Sequence, residues 1–117
     1  MSVNKDHLED YNNSKESYKH CTTKIRELKK SKKFYVGATH DPEGRLEDHV
    51  QNKKMKTMYL LCKTKTKKQA ESLEQKLVKV FGNLKTNVDY DEETKTGQSG
   101  GGEGLNDGEN YIYILFK

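Results

Sequence analysis

No run in this 117-residue chain approaches the ~18–20 consecutive apolar residues that a membrane span requires. No membrane association is expected. The first residues carry Asp6, Glu9 and Asp10 and no apolar stretch, which is unlike a secretory signal. Cysteine is scarce as well. Cys21 and Cys62 are too few and too far apart in sequence for a disulfide framework or a zinc site, so a reduced, intracellular setting is the expectation. Apolar residues make up only 31% against a usual ~45–50%, while charged residues reach 34% against ~25%. The core must be small, and part of the chain should be poorly ordered or depend on a partner. The length leaves room for one domain.

The charge that is present is unevenly spread. Residues 1–33 carry nine basic and five acidic side chains, and residues 34–88 carry eleven and six. Residues 89–117 reverse the sign, with two basic and seven acidic. A basic body suits a polyanion such as nucleic acid, because lysines that neutralise phosphates release counterions. A solvated lysine-rich surface with no such partner is the alternative.

Residues 1–33 contain neither proline nor glycine. Ser14 offers an N-cap, and Tyr18, Cys21, Ile25 and Leu28 then recur at helical spacing as a narrow apolar stripe. The first dozen residues read as a frayed lead-in. Lys24, Arg26, Lys29, Lys30, Lys32 and Lys33 crowd the last turns, where they complement the helix dipole. Either the helix contacts DNA, with Lys33 a candidate substrate contact, or it packs and leaves its lysines in water.

The stretch Phe34–His49 changes character twice. Phe34-Tyr35-Val36 reads as a buried strand ending at Gly37, and Asp41-Pro42-Glu43-Gly44 as a turn. A helical pattern follows from Arg45, which puts Arg45 and His49 one turn apart on one face. Strand end, turn and helix start thus bring Tyr35, Gly37, Arg45 and His49 to one place. Met58–Cys62 reads as a central strand beside Phe34-Tyr35-Val36.

Thr64 or Thr66 should cap a helix over roughly 67–81, with Ala70, Leu73, Leu77, Val80 and Phe81 inward and Gly82 as a left-handed stop. Glu74 falls at the edge of that stripe. It could hold a divalent cation, or it could pair in water with Lys67, Lys68 or Gln75. Residues 89–109 hold seven acidic residues and six of the nine glycines. No Gly-Lys-Ser/Thr follows these glycines, which disfavours a phosphate cradle and favours a flexible loop, one that can lie over a cleft. Tyr111–Phe116 is the strongest strand signal in the chain and needs burial.

Tyr35-Val36-Gly37, with Arg45 ten residues after the tyrosine and His49 four further on, resembles the second half of the GIY-YIG nuclease signature. Ala70–Leu77 resembles the helix of that family that bears the metal-binding glutamate, here Glu74. Asn87 sits where the family has its asparagine. The resemblance covers residues 34–88 and departs from the family in one respect: no Gly-Ile-Tyr strand precedes Tyr35. Ile112-Tyr113-Ile114 resembles part of that missing strand and could pair antiparallel with residues 34–37, a circularly permuted arrangement. An ordinary edge strand, with Tyr111 or Tyr113 filling the core, is the other reading.

The expected architecture is a small α+β domain, a three-stranded antiparallel sheet flanked by helices. A basic helical segment over 1–33 would precede a GIY-YIG-like domain over 34–117, with the acidic loop 89–109 and the strand 111–116 inside it. The resemblance implies a Mg²⁺- or Mn²⁺-dependent endonuclease acting on DNA. In it Glu74 holds the metal, Arg45 stabilises the phosphate charge, and Tyr35, Tyr113 or His49 positions or deprotonates water. Gly37 lets the backbone turn tightly beside the site, and Asn87 bonds phosphate or orients a water. No DNA-targeting part is visible, so specificity would come from the loop, the helix, oligomerisation or a targeting partner. A fold that keeps nucleic-acid or protein binding but has lost the chemistry is the competing expectation.

Overall fold

The computed structural model describes residues 2–30, 32–53, 57–88, 91–94, 97 and 105–116. Its centre is the strand that the chain reaches last. Asn110–Phe116 (β5) alternates two sets of apolar side chains, and successive strand residues point to opposite faces, so both faces of this strand are buried. Ile112, Ile114 and Phe116 enter one core cluster, whereas Tyr113 and Leu115 enter the other. A strand that is apolar on both sides belongs in the middle of a covered sheet. β5 accordingly pairs antiparallel with Phe34–Thr39 (β3) on one side and with Thr57–Thr64 (β4) on the other.

The sheet is α+β as expected but has five strands among the described residues rather than three. Ser2–Asn4 (β1) and Glu9–Asp10 (β2) both add in parallel to the outer side of β4. Residues 2–4 and 9–10 are therefore paired instead of frayed, and the Tyr11 amide continues the ladder to the Lys63 carbonyl at 2.9 Å. β4 is also not the neighbour of β3, because β5 lies between them. The β3–β5 pairing places Tyr35 opposite Leu115 and Gly37 opposite Tyr113, in the antiparallel sense expected for residues 34–37.

Ser14–Lys29 (α1) and Lys67–Phe81 (α3) pack on the face that holds Phe34, Val36 and Ile114. Pro42–Lys53 (α2) covers the other face through Leu46 and Val50. Asn13, not Ser14, caps α1, its side chain accepting from the Glu16 amide at 2.8 Å. Thr66 caps α3 through the Gln69 amide at 3.2 Å. Two details at the far end of α3 differ from expectation. Gly82 keeps a right-handed conformation and donates to the Val78 carbonyl, so the helix runs on into a turn without a left-handed stop. Val78 fills the core in place of Val80, which is 38% exposed.

The lysine-rich end of α1 has a packing role. Lys29 lies 5.4 Å from the centre of the Phe34 ring, Lys32 5.4 Å from that of Phe116, and Arg26 5.7 Å from that of Phe81. The cations close over the rim of the aromatic core with their heads toward water.

Candidate active site

Helix α2 starts three residues earlier than its pattern suggests. The Asp41 carboxylate accepts the Gly44 amide at 3.2 Å, and the Asp41 carbonyl accepts the Arg45 amide at 3.0 Å. Asp41 is thus the N-cap and Pro42 the first helical residue, where a missing N–H costs nothing. Thr39 fixes Asp41 in turn, its hydroxyl oxygen accepting the Asp41 amide at 3.0 Å. A Cβ on Gly44 would run into the Asp41 carboxylate, with Cγ only 3.0 Å away. The Asp-Pro dipeptide with glycine three residues on was the signal for this start. The cap sets the rotation of α2, and with it the directions of Arg45 and His49.

Strand β3 does not end at Gly37 but runs through it to Thr39. The glycine serves the strand beside it. Tyr113 lays its phenol ring across Gly37, and a Cβ there would overlap the hydroxyl oxygen and come within 2.6 Å of Cζ. The Tyr113 hydroxyl lies over backbone in this way, and it shares a hydrogen bond of 3.1 Å with His49 Nε2. Tyr35 completes the group: its ring centre is 4.8 Å from that of His49 and 6.4 Å from that of Tyr113. His49 is 6% exposed and Tyr113 2%, whereas Tyr35 is half-buried. Three rings from three elements thus form one cluster, and only Tyr35 faces partly outward.

Burial pushes the Tyr113 hydroxyl well above its ordinary pKa, and Tyr35 and Glu74 push the same way, while the Arg45 charge opposes them. Arg45, from α2, and Glu74, from α3, are therefore both close enough for their charges to be felt at this hydroxyl. The two helices themselves pack on opposite faces of the sheet. Glu74 is only 7% exposed, and its Oε1 is sealed from solvent. Glu71, three residues before it, is the glutamate that stays in water, 3.9 Å from Lys67.

Asn87 is buried beside the start of β3. The Phe34 amide donates to the Thr86 carbonyl at 3.0 Å, and the Val88 amide to the Phe34 carbonyl at 2.9 Å, which clips this loop to the sheet edge. Val88 packs in the cluster that holds Tyr35, whereas Asn87 is the bridge partner of Phe34, whose side chain enters the opposite cluster. Lys33 does not join the ring group. Its ammonium is exposed and donates to the Lys85 carbonyl at 3.3 Å, on the outer flank of the same loop. Most of the acidic glycine-rich stretch lies outside the described residues.

Among the described residues no three His, Cys, Asp or Glu side chains gather as a metal cage. A single buried carboxylate does fit a hard cation such as Mg²⁺ or Mn²⁺, which takes one or two protein carboxylates and completes its shell with water and substrate phosphate. No described helix is long and apolar enough to cross a membrane.

A family model described as the GIY-YIG catalytic domain matches residues 21–87, more than half of the chain. No match was found among curated proteins or solved structures.

Proposed function

Since the chain belongs to the GIY-YIG family of nuclease domains, we propose that it is a divalent-metal-dependent endonuclease that hydrolyses phosphodiester bonds in DNA. One observation carries the reading: the Tyr35–His49–Tyr113 ring cluster sits where the charges of Arg45 and Glu74 both reach. Hydrolysis at phosphorus needs a water in line, a cation to meet the developing negative charge, and a group to take the water's proton.

Glu74 would hold the metal, which supplies Lewis acidity at the scissile phosphate when bound. Arg45 offers a planar guanidinium fork that matches two phosphate oxygens. Tyr113 keeps its proton at neutral pH, because burial disfavours the phenolate, and so it orients rather than deprotonates. Its bond to His49 fixes that ring against Tyr35. Tyr35, the half-exposed member, and His49 are then the groups that take the proton from water. Asn87, buried beside the start of β3, orients phosphate or water. Lys33 offers a phosphate contact outside the reacting centre. The net charge of +4 favours a polyanionic substrate.

The test is cleavage of labelled single-stranded, duplex and branched DNA with Mg²⁺ or Mn²⁺, for the wild type, Glu74→Ala and Arg45→Ala. Loss of one transition-state charge partner costs about 10²–10³ in rate, so both variants should be all but inactive. Cutting that survives chelation, or survives in both variants, would overturn the assignment. Salt-sensitive binding with no cutting in the wild type would leave a binding module.

A further inference from the structure

The only two cysteines of the chain, 41 positions apart, meet in the core. Both are reduced and buried, one on α1 and one on β4. The two thiols are close enough to shift each other's ionisation, Cys21 upward and Cys62 downward. Two features separate this pair from small core residues that happen to touch.

The first is the backbone of β4. Leu60 faces the α2 side of the sheet, so strict alternation would send Leu61 to the α1 side and Cys62 back again. The pairing of β4 with β5 instead slips between Leu60 and Cys62, and both Leu61 and Cys62 enter the α1-side cluster. A bulge leaves a residue unpaired and re-aims the side chains after it. Here it turns Cys62 toward Cys21.

The second is access. Cys62 forms part of the wall of a cavity of about 360 Å³ between α1 and β2, together with Ser17, His20, Glu9 and Asp10. Ser17, on the same wall, lies one helical turn before Cys21. Cys62 is 1% exposed, so a molecule in the cavity meets it only at that wall.

We propose that Cys21 and Cys62 form a redox-active dithiol, a modification site that hydrogen peroxide converts to an intramolecular disulfide tying α1 to β4. The neighbouring Cys21 and Ser17 groups draw the Cys62 thiol below its ordinary pKa against burial, Glu9 and Asp10, which push it up, whereas Cys21 is held protonated by its sulfur neighbour and by burial. Cys62, the sulfur at the cavity, attacks first. Its thiolate breaks the O–O bond and, with one proton, gives the sulfenic acid and a water. The Cys21 sulfur then attacks the Cys62 sulfur and expels hydroxide, which leaves as a second water with the Cys21 proton. Two thiols and one peroxide thus give one disulfide and two waters.

The full-length wild type is treated with hydrogen peroxide under native conditions, digested without reductant and mapped by mass spectrometry. The expected product is a linked pair of peptides carrying Cys21 and Cys62, two hydrogens lighter than their sum. It should come with a rise of several degrees in Tm that dithiothreitol reverses, because the crosslink restrains the unfolded chain. In Cys21→Ala, Cys62 should instead stop at sulfenic acid or over-oxidise to sulfinic acid. Disulfide-linked dimers in the wild type, over-oxidation of Cys62 with Cys21 left free, or no reaction short of denaturation would each overturn the proposal. Mapping of the wild type decides the matter even if the variant fails to fold.

Discussion

Gly37→Ala adds one methyl group to a six-residue strand, and by propensity alone that should be harmless. Glycine inside a strand costs roughly 0.5–1 kcal/mol relative to alanine, so an ordinary site would gain stability. This site should lose it. The new Cβ overlaps the Tyr113 hydroxyl and sits 2.6 Å from Cζ and 3.1 Å from Cε2, where carbon contacts need about 3.5–4 Å. The phenol ring has to retreat by about an ångström. It is 2% exposed, with Tyr35 and His49 on its flanks, so there is little free space to retreat into. Overpacking of this kind costs about 1–3 kcal/mol, or a fall in Tm of about 4–12 °C for a domain of this size. The shift also breaks the 3.1 Å bond to His49, so DNA cleavage should fall further than stability does. Thermal denaturation and a cleavage assay on the same preparation measure both. Adding Tyr113→Phe to Gly37→Ala removes the worst-placed atom and should restore part of the lost Tm. A Gly37→Ala protein with unchanged Tm and activity would mean that Tyr113 does not lie across this strand.

Tyr113→Phe alone removes the bond to His49 and should lower stability by about 1–2 kcal/mol, read by urea denaturation, with a loss of cleavage. Because the folded protein holds the Tyr113 proton above the ordinary range, the unfolded chain ionises first, near pH ~10. Stability is therefore intact below that pH and falls as pH rises past it, and Tyr113→Phe should flatten part of the slope between about pH 8 and 11. Lys30 ends α1 at φ 44° and ψ −121°, the first central position of a turn closed by the Lys32 amide on the Lys29 carbonyl at 2.7 Å. Glycine suits that backbone, so Lys30→Gly should stabilise by about 1 kcal/mol in the same assay. Asn13→Ala removes the α1 cap and should cost about 0.5–2 kcal/mol, with no effect on the relative rates of Arg45 and Glu74 variants.

What could be read from the sequence followed the strength of the local signal. The strand 110–116 and the helix 67–81 stand out because seven and fifteen residues repeat one pattern without contradiction. β1 and β2 have three and two residues, largely polar, and exist because β4 offers an unpaired edge. Nothing inside Ser2–Asn4 or Glu9–Asp10 encodes that edge. Counting at 3.6 spacing places Val80 inward, but the stripe drifts around the helix, and by the last turn it has passed to Val78, next to Leu77. For Cys21 and Cys62, separation along the chain says nothing of separation in space, and the bulge that aims Cys62 at the α1 side leaves no mark in residue type.

The site itself shows the same division. Tyr35, Arg45 and His49 share one strand–turn–helix unit, so their spacing carries their geometry, and Glu74 follows from the phase of its own helix. Tyr113 has no such link. It stands on the far side of the acidic stretch, and the family match ends at Asn87, before β5 begins. Yet a hydrogen-bonded ladder depends on which strands lie side by side, not on which of them the chain makes first. In the resemblance the Gly-Ile-Tyr strand precedes Tyr-Val-Gly, whereas here Ile112-Tyr113-Ile114 comes last and still sets Tyr113 opposite Gly37. What the pairing requires is a glycine opposite the tyrosine and a connection long enough to bring β5 between β3 and β4. The chain has both, and so a side chain 64 residues from His49 reaches its ring.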